Sequence, residues 1–185
     1  MKFLIIPLFL LSFTLHDKTV DNSLPCICKL QHTFPTPPVS DQTLFYIQRT
    51  PNHNTIMYDL NMKKGKLNTE EPVHVYWIRY GENGQKEELS YIQRQFAYGL
   101  KSRKLADNRF ELSFVSYKKQ LLYLEWSALL NRYRIHTTIN GKTIDVNKVF
   151  LQIEGGSFWV PNVVCVEVKG TDPATGKEVV QLFKP

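Results

Sequence analysis

Arg132-Tyr-Arg-Ile-His-Thr-Thr-Ile139, then Asn140-Gly141, then Lys142-Thr143-Ile-Asp-Val-Asn-Lys-Val-Phe-Leu-Gln-Ile-Glu154, is the stretch that decides the fold. Its first segment alternates: Tyr133, Ile135 and Ile139 take one face, and Arg132, Arg134 and His136 the other. Period two with β-branched and aromatic residues marks a half-buried strand. Asn-Gly between two such runs is a strong hairpin signal, because a type I′ turn needs positive φ at both central positions. The chain here therefore reads as strand, tight turn, strand (Thr143 to Glu154), with Gly155-Gly156 marking a bend or bulge.

The same pattern extends in both directions. Strands are expected at Leu44–Thr50, Thr55–Leu60, Val73–Tyr80, Phe110–Tyr117, Leu121–Trp126, Val163–Lys169 and Glu178–Phe183. Pro51-Asn-His-Asn54 and Gly81-Glu-Asn-Gly84 supply turn signals. Only 88–100 changes period. Leu89, Ile92, Phe96 and Leu100 share one helical face, and the basic run Lys101 to Lys104 suits a helix end, where cations complement the dipole. The reading is mainly β: a single antiparallel barrel or sandwich of eight or nine strands with one inserted helix at about 88–100. Leu44-Phe-Tyr-Ile-Gln-Arg49 and Leu89-Ser-Tyr-Ile-Gln-Arg94 nearly repeat, but one has a strand pattern and the other a helix pattern, so the similarity is read as coincidence.

The N-terminus sets the compartment. Met1-Lys2 precedes an apolar run, Phe3 to Leu15, of roughly thirteen residues, short of the ~20 that span a bilayer. Residues 1–15 read as a signal peptide whose cut is not marked and could extend to about 20. Residues 16–42 follow as a polar, proline-rich linker, then one β-rich domain over 43–185. This layout implies export to the periplasm or beyond, with a lipid anchor disfavoured. No later segment is apolar and long enough for a transmembrane helix.

Of 23 Lys and Arg, only Lys2 lies in the leader, leaving 22 against 17 acids. That mild excess attracts anionic surfaces and is too scattered to argue for nucleic acid. Three cysteines (Cys26, Cys28 and Cys165) leave an odd thiol in an oxidising compartment, with the pairing open. Cys26-Ile-Cys28 with His32 resembles half of a soft-metal site, and nothing completes it. No metal or other cofactor is implied.

Strand parity supplies the best binding constellation. Phe45, Ile47 and Arg49 share one face of the first strand, and Val75, Trp77 and Arg79 one face of another. Each is an apolar stripe ending in a guanidinium, which forks well onto a carboxylate or phosphate. Arg94, Tyr91 and Tyr98 on the helix, and Asn52, His53 and Asn54 on the first turn, are placed to join the same mouth. The candidate ligand site is thus Arg49, Asn52, His53, Trp77, Arg79, Arg94 and Tyr98, for a small anion or an envelope glycan. The competing reading is that each arginine snorkels to solvent or pairs with Asp59 or Glu111. Arg132, Arg134 and His136 read as the solvated side of a sheet, and Phe110, Phe114, Tyr123 and Trp126 as packing. Phe158-Trp159 beside Pro161 reads as packing or as a partner patch.

Catalytic motifs are missing. There is no Gly-x-Ser-x-Gly elbow, phosphate loop, His-Glu-x-x-His or EF-hand loop. No catalytic residue is assigned, and the balance leans against an enzyme. Three functions stay open: a non-catalytic binding module of the bacterial envelope, an envelope assembly protein acting through protein contacts, and a hydrolase with an unrecognised site.

Phe45-Tyr-Ile-Gln-Arg49, Asn52-His-Asn-Thr-Ile-Met-Tyr58, Pro72-Val-His-Val-Tyr-Trp-Ile78, Ala97-Tyr-Gly99 and Phe150-Leu-Gln-Ile-Glu-Gly-Gly-Ser-Phe-Trp159 together resemble an uncharacterised family of exported Bacteroidetes proteins, domain of unknown function 4833. The resemblance covers roughly 43–183. It implies export and a single domain, and it carries over no activity and no site residues.

Overall fold

The computed structural model describes residues 33–157 and 160–185. In chain order the strands are β1 (Thr43–Arg49), β2 (Thr55–Leu60), β3 (Met62–Lys63), β4 (Lys66–Leu67), β5 (Val73–Arg79) and β6 (Gln85–Glu88). The helix α1 (Tyr91–Phe96) follows, then β7 (Leu100–Ala106), β8 (Arg109–Phe114), β9 (Leu121–Ser127), β10 (Arg132–Ile139), β11 (Lys142–Gly156), β12 (Pro161–Thr171) and β13 (Glu178–Phe183). A short 3-10 turn, Tyr80–Glu82, links β5 to β6. Eleven strands form one curled sheet, a half-barrel, and β3 with β4 makes a separate small hairpin.

The Asn140-Gly141 turn forms as its residues require, with φ of 51° and 74°. It starts β11, a fifteen-residue strand around which the sheet is organised. One edge of β11 pairs antiparallel with β12 over almost its whole length. The other edge is shared. Lys142 to Asp145 pair antiparallel with β10, and Lys148 to Leu151 pair parallel with β1. Between them the register with β12 shifts at Val146/Lys148. This bulge inverts the alternation, so Ile144 and Val146 before it and Val149 after it all face inward. The strand turns a corner there without exposing its apolar side. One arm of the sheet then runs β1-β2-β5-β6, the other β10-β9-β8-β7.

Both arms bury their inner faces in one core. Phe45, Ile47, Ile56, Tyr58, Val75 and Trp77 come from the first arm, and Phe110, Leu112, Leu122, Leu124 and Ile135 from the second. The first arm is also covered outside. Gln48 Nε2 donates to the Pro35 carbonyl at 2.8 Å, Tyr80 Oη to that of Thr36 at 3.3 Å, and the Phe34 ring lies edge-on to Phe150 at 5.4 Å. Gln48, Met57 and Cys165 are therefore buried although they point away from the main core.

Three expectations are corrected. The described residues form thirteen strands, not eight or nine. The sheet is mixed rather than antiparallel, because β1 meets β11 in parallel across some hundred residues of sequence. The helix spans Tyr91–Phe96, not 88–100. A capping box starts it: Ser90 Oγ accepts from the Gln93 amide, and Gln93 Oε1 accepts from the Ser90 amide at 3.0 Å. Just past its end only glycine fits at position 99, since a Cβ there would lie 1.9 Å from the Arg94 carbonyl oxygen. Lys101 to Lys104, read as a helix end, lies instead in β7, an exposed edge strand. Cations on an edge discourage pairing with other chains, which is the physical reason for a basic run there.

Candidate functional site

The two arms do not pack shut. Between them lies a cavity of about 960 Å³, within the range of small-molecule sites. Its floor is Phe45, Tyr58, Leu122, Val149, Val166 and Val168, drawn from β1, β2, β9, β11 and β12. Phe45 and Tyr58 stack at 4.3 Å, and Phe114 meets both edge-on. Tyr58 is fully buried, and its Oη donates to the Tyr98 carbonyl at 2.9 Å, so the wall is polar-satisfied there. Burial pushes the Tyr58 phenol well above its usual range, with Tyr98 adding to the effect. The rim is made of Phe96 to Tyr98, of Ser116, Tyr117 and Gln120, of Gly155 to Ser157 with Val160 and Pro161, and of Phe183 to Pro185.

Arg49 stands in this wall. It ends β1, opposite Leu151 of β11. The next residue, Thr50, clamps that position: its Oγ1 donates to the Ile153 carbonyl at 3.1 Å and accepts from the Ile153 amide at 2.7 Å. The guanidinium lies over the Tyr98 ring, 5.6 Å from its centroid. Burial raises the Tyr98 phenol, and the Arg49 charge draws it partly back. No carboxylate among the described residues pairs with Arg49, and its buried Nε has no acceptor. The described lining contains no Asp, Glu, His or Cys. It offers two cations, Arg49 in the wall and Lys184 at the rim, with hydroxyls and amides against an apolar floor.

The other residues expected at this mouth divide. Tyr98 lines the cavity with Arg49. Trp77 is core, its ring edge-on to Tyr98 at 5.0 Å and its Nε1 donating to Gln93 Oε1 at 3.4 Å. Arg79 shares the Val75/Trp77 parity but lies against Glu82 at 3.3 Å and Glu87 at 2.9 Å. The latter contact is ionic only, since Arg79 Nε is not aligned to hydrogen-bond. Arg94 pairs with Glu71 at 3.1 Å and Glu88 at 3.7 Å. Asn52 Oδ1 closes its own turn by accepting from the Asn54 amide, and His53 packs on Phe34 at 5.6 Å. Of the seven, only Arg49 and Tyr98 line the cavity. The suggested acid partners are used elsewhere: Glu111 by Arg103, and Asp59 by the Tyr76 hydroxyl.

A second polar cluster lies outside, on β9–β10–β11. Arg134 donates to Glu125 and, at 3.2 Å, to Asp145, and Arg109 lies 3.6 Å from Glu125. His136 Nε2 is 3.4 Å from Glu125 without hydrogen-bonding, and its ring stacks on Tyr123. Burial alone would raise the Glu125 carboxyl, but the Arg134 hydrogen bond and the surrounding cations hold it below its usual value. Burial lowers His136, and Arg134 lowers it further against the pull of Glu125 and Asp145. Cross-strand register would have found this cluster: Arg134 faces Glu125, and His136 faces both Asp145 and Tyr123.

Among the described residues no group of three or more His, Cys, Asp or Glu is placed to hold a metal, and no helix is long and apolar enough to cross a membrane. Cys165 is disulfide-bonded. The leader, Cys26, Cys28, His32, Phe158 and Trp159 lie outside the described residues.

The family model described as a domain of unknown function (DUF4833) matches residues 45–181. The chain belongs to this family. The match runs from β1 into β13, so it takes in Arg49, Tyr98 and the cavity floor. No curated protein and no solved structure matches the chain.

Proposed function

We propose that this domain of the DUF4833 family is an exported, non-catalytic binding module for an amphipathic anion. The apolar part of the ligand fills the cavity, and its carboxylate or phosphate meets Arg49. The observation that carries the reading is the half-buried guanidinium in an apolar wall, with no acid beside it among the described residues. A buried charge without a partner is costly, and an anionic ligand would remove that cost. The scarcity of polar lining groups favours an acyl or other apolar body over a glycan. The leader pattern at 1–15 and the disulfide at Cys165 support export.

The test is calorimetric titration with dodecanoate and with dodecanol, using wild type and Arg49→Met. Hydrogen bonds to charged groups contribute about 1.5–3 kcal/mol. The carboxylate should therefore bind wild type about 10–100-fold more tightly than the alcohol, and Arg49→Met should erase that preference. Equal binding of the two by wild type would end the proposal. Native mass spectrometry of protein from its own host would show whether an acidic amphiphile is retained.

A further inference from the structure

The rim of the cavity differs in character from its floor. Val160 lines the cavity yet is 74% exposed. Helix α1 runs into the rim at Phe96, and Tyr91 and Ile92 on it are exposed at 75% and 47%. Beside this apolar edge lies a basic one. Ser116, Tyr117 and Gln120 line the cavity, and the exposed Lys118 and Lys119 form the turn between them. That loop is tied to the end of α1: Ser116 Oγ donates to the Ala97 carbonyl at 2.6 Å, and the Val115 amide to that of Gly99 at 3.0 Å. Exposed Lys184 lines the cavity as well. The acids nearest α1, Glu71 and Glu88, are engaged by Arg94. Glu154, next to the glycine turn, accepts from Gln152.

We infer that this rim docks on an anionic lipid bilayer, with Tyr91, Ile92 and Val160 entering the headgroup region and Lys118, Lys119 and Lys184 meeting the phosphates. The occupant follows from charge complementarity. Aromatic and aliphatic side chains flanked by three lysines, with no Asp or Glu in the described cavity lining and a single exposed acid, Glu154, next to the glycine turn, match an apolar interior edged by negative headgroups. The inference rests on the binding module proposed above: the cavity would open directly onto the surface that supplies its amphiphile.

Vesicle co-flotation tests it, using phosphatidylcholine alone and phosphatidylcholine mixed with phosphatidylglycerol. Wild type should float with the mixed vesicles only, and added salt should release it. Lys118→Ala/Lys119→Ala should weaken partitioning about 30-fold, from the usual contribution of a lysine at an anionic surface. Tyr91→Ser/Ile92→Ser should weaken it about tenfold through lost apolar insertion. Lys118, Lys119, Tyr91 and Ile92 are exposed and lie outside the cavity lining, so both variants should still bind dodecanoate in solution as wild type does. No flotation with mixed vesicles, equal flotation with neutral ones, or unchanged flotation of the lysine variant would overturn the inference. If dodecanoate still binds in that case, the ligand site stands without the docking surface. Salt-sensitive flotation without dodecanoate binding would support the docking surface and remove the ligand site instead.

Discussion

Arg49 and Arg134 make an instructive pair. Each is a half-buried arginine on a strand that borders the same edge of β11, one on either side of the bulge. Arg134 faces outward and has Glu125 across the strand pair and Asp145 on β11 itself. Arg49 faces inward and has an aromatic ring and an apolar floor. Residue type and place beside β11 are shared, while the face of the sheet and the supply of acids differ. Where neighbouring strands present carboxylates, a half-buried arginine becomes a cross-strand tie. Where the described neighbours do not, it rests on an aromatic ring instead, and its charge is open to the anion proposed above.

The contrast can be pressed from several sides. The largest loss of stability should come from the wall that holds Arg49: Phe45→Ala removes a buried ring stacked on Tyr58 and should cost about 3–5 kcal/mol in denaturant unfolding. Arg134→Met should cost about 1–3 kcal/mol, because it strands Glu125 and Asp145 together. A smaller effect is expected on acidification. The folded-state value of His136 is lowered, so its contribution is complete at higher pH and is lost as pH falls below about 6.5 toward that value. Glu125 is also lowered, so a second loss sets in below about 4.5. Stability measured against pH should show both limbs, and His136→Asn should abolish the first while leaving the second. The smallest change belongs to Arg49→Met, which should leave unfolding free energy within about 1 kcal/mol of wild type or raise it. A loss as large as that of Arg134→Met would mean that Arg49 is a structural tie after all, and the comparison would collapse.

Much of the fold is legible in local pattern. β10, the Asn140-Gly141 turn and β13 follow alternation and turn chemistry, which act between near neighbours. β6 and β7 escape because Gln85-Lys-Glu-Glu88 and Leu100-Lys-Ser-Arg-Lys-Leu-Ala106 lack the apolar alternation that marks strands. They are edge strands, paired on one side only and rich in charge. The corner in β11 is written in the sequence as a slip of phase between Val146 and Val149, a signal that a simple count of strands passes over. At the site, parity places Arg49 correctly on the inner face, but parity cannot say which arginines find acids. Arg79 finds Glu87 through the β5–β6 pairing, and that depends on a strand the alternation does not reveal.

The parallel pairing of β1 with β11 governs when the cavity comes into being. Its partners, Arg49 and Leu151 among them, are separated by most of the domain. Closing so long a loop is entropically slow, and chains rich in such distant contacts fold on the millisecond-to-second scale. The β1–β2 and β9–β10 hairpins can form early, but the floor beneath Arg49 is complete only once β11 has docked. Until then the Phe45 stripe lacks its cover, and a chain still folding is open to aggregation or to capture by a chaperone.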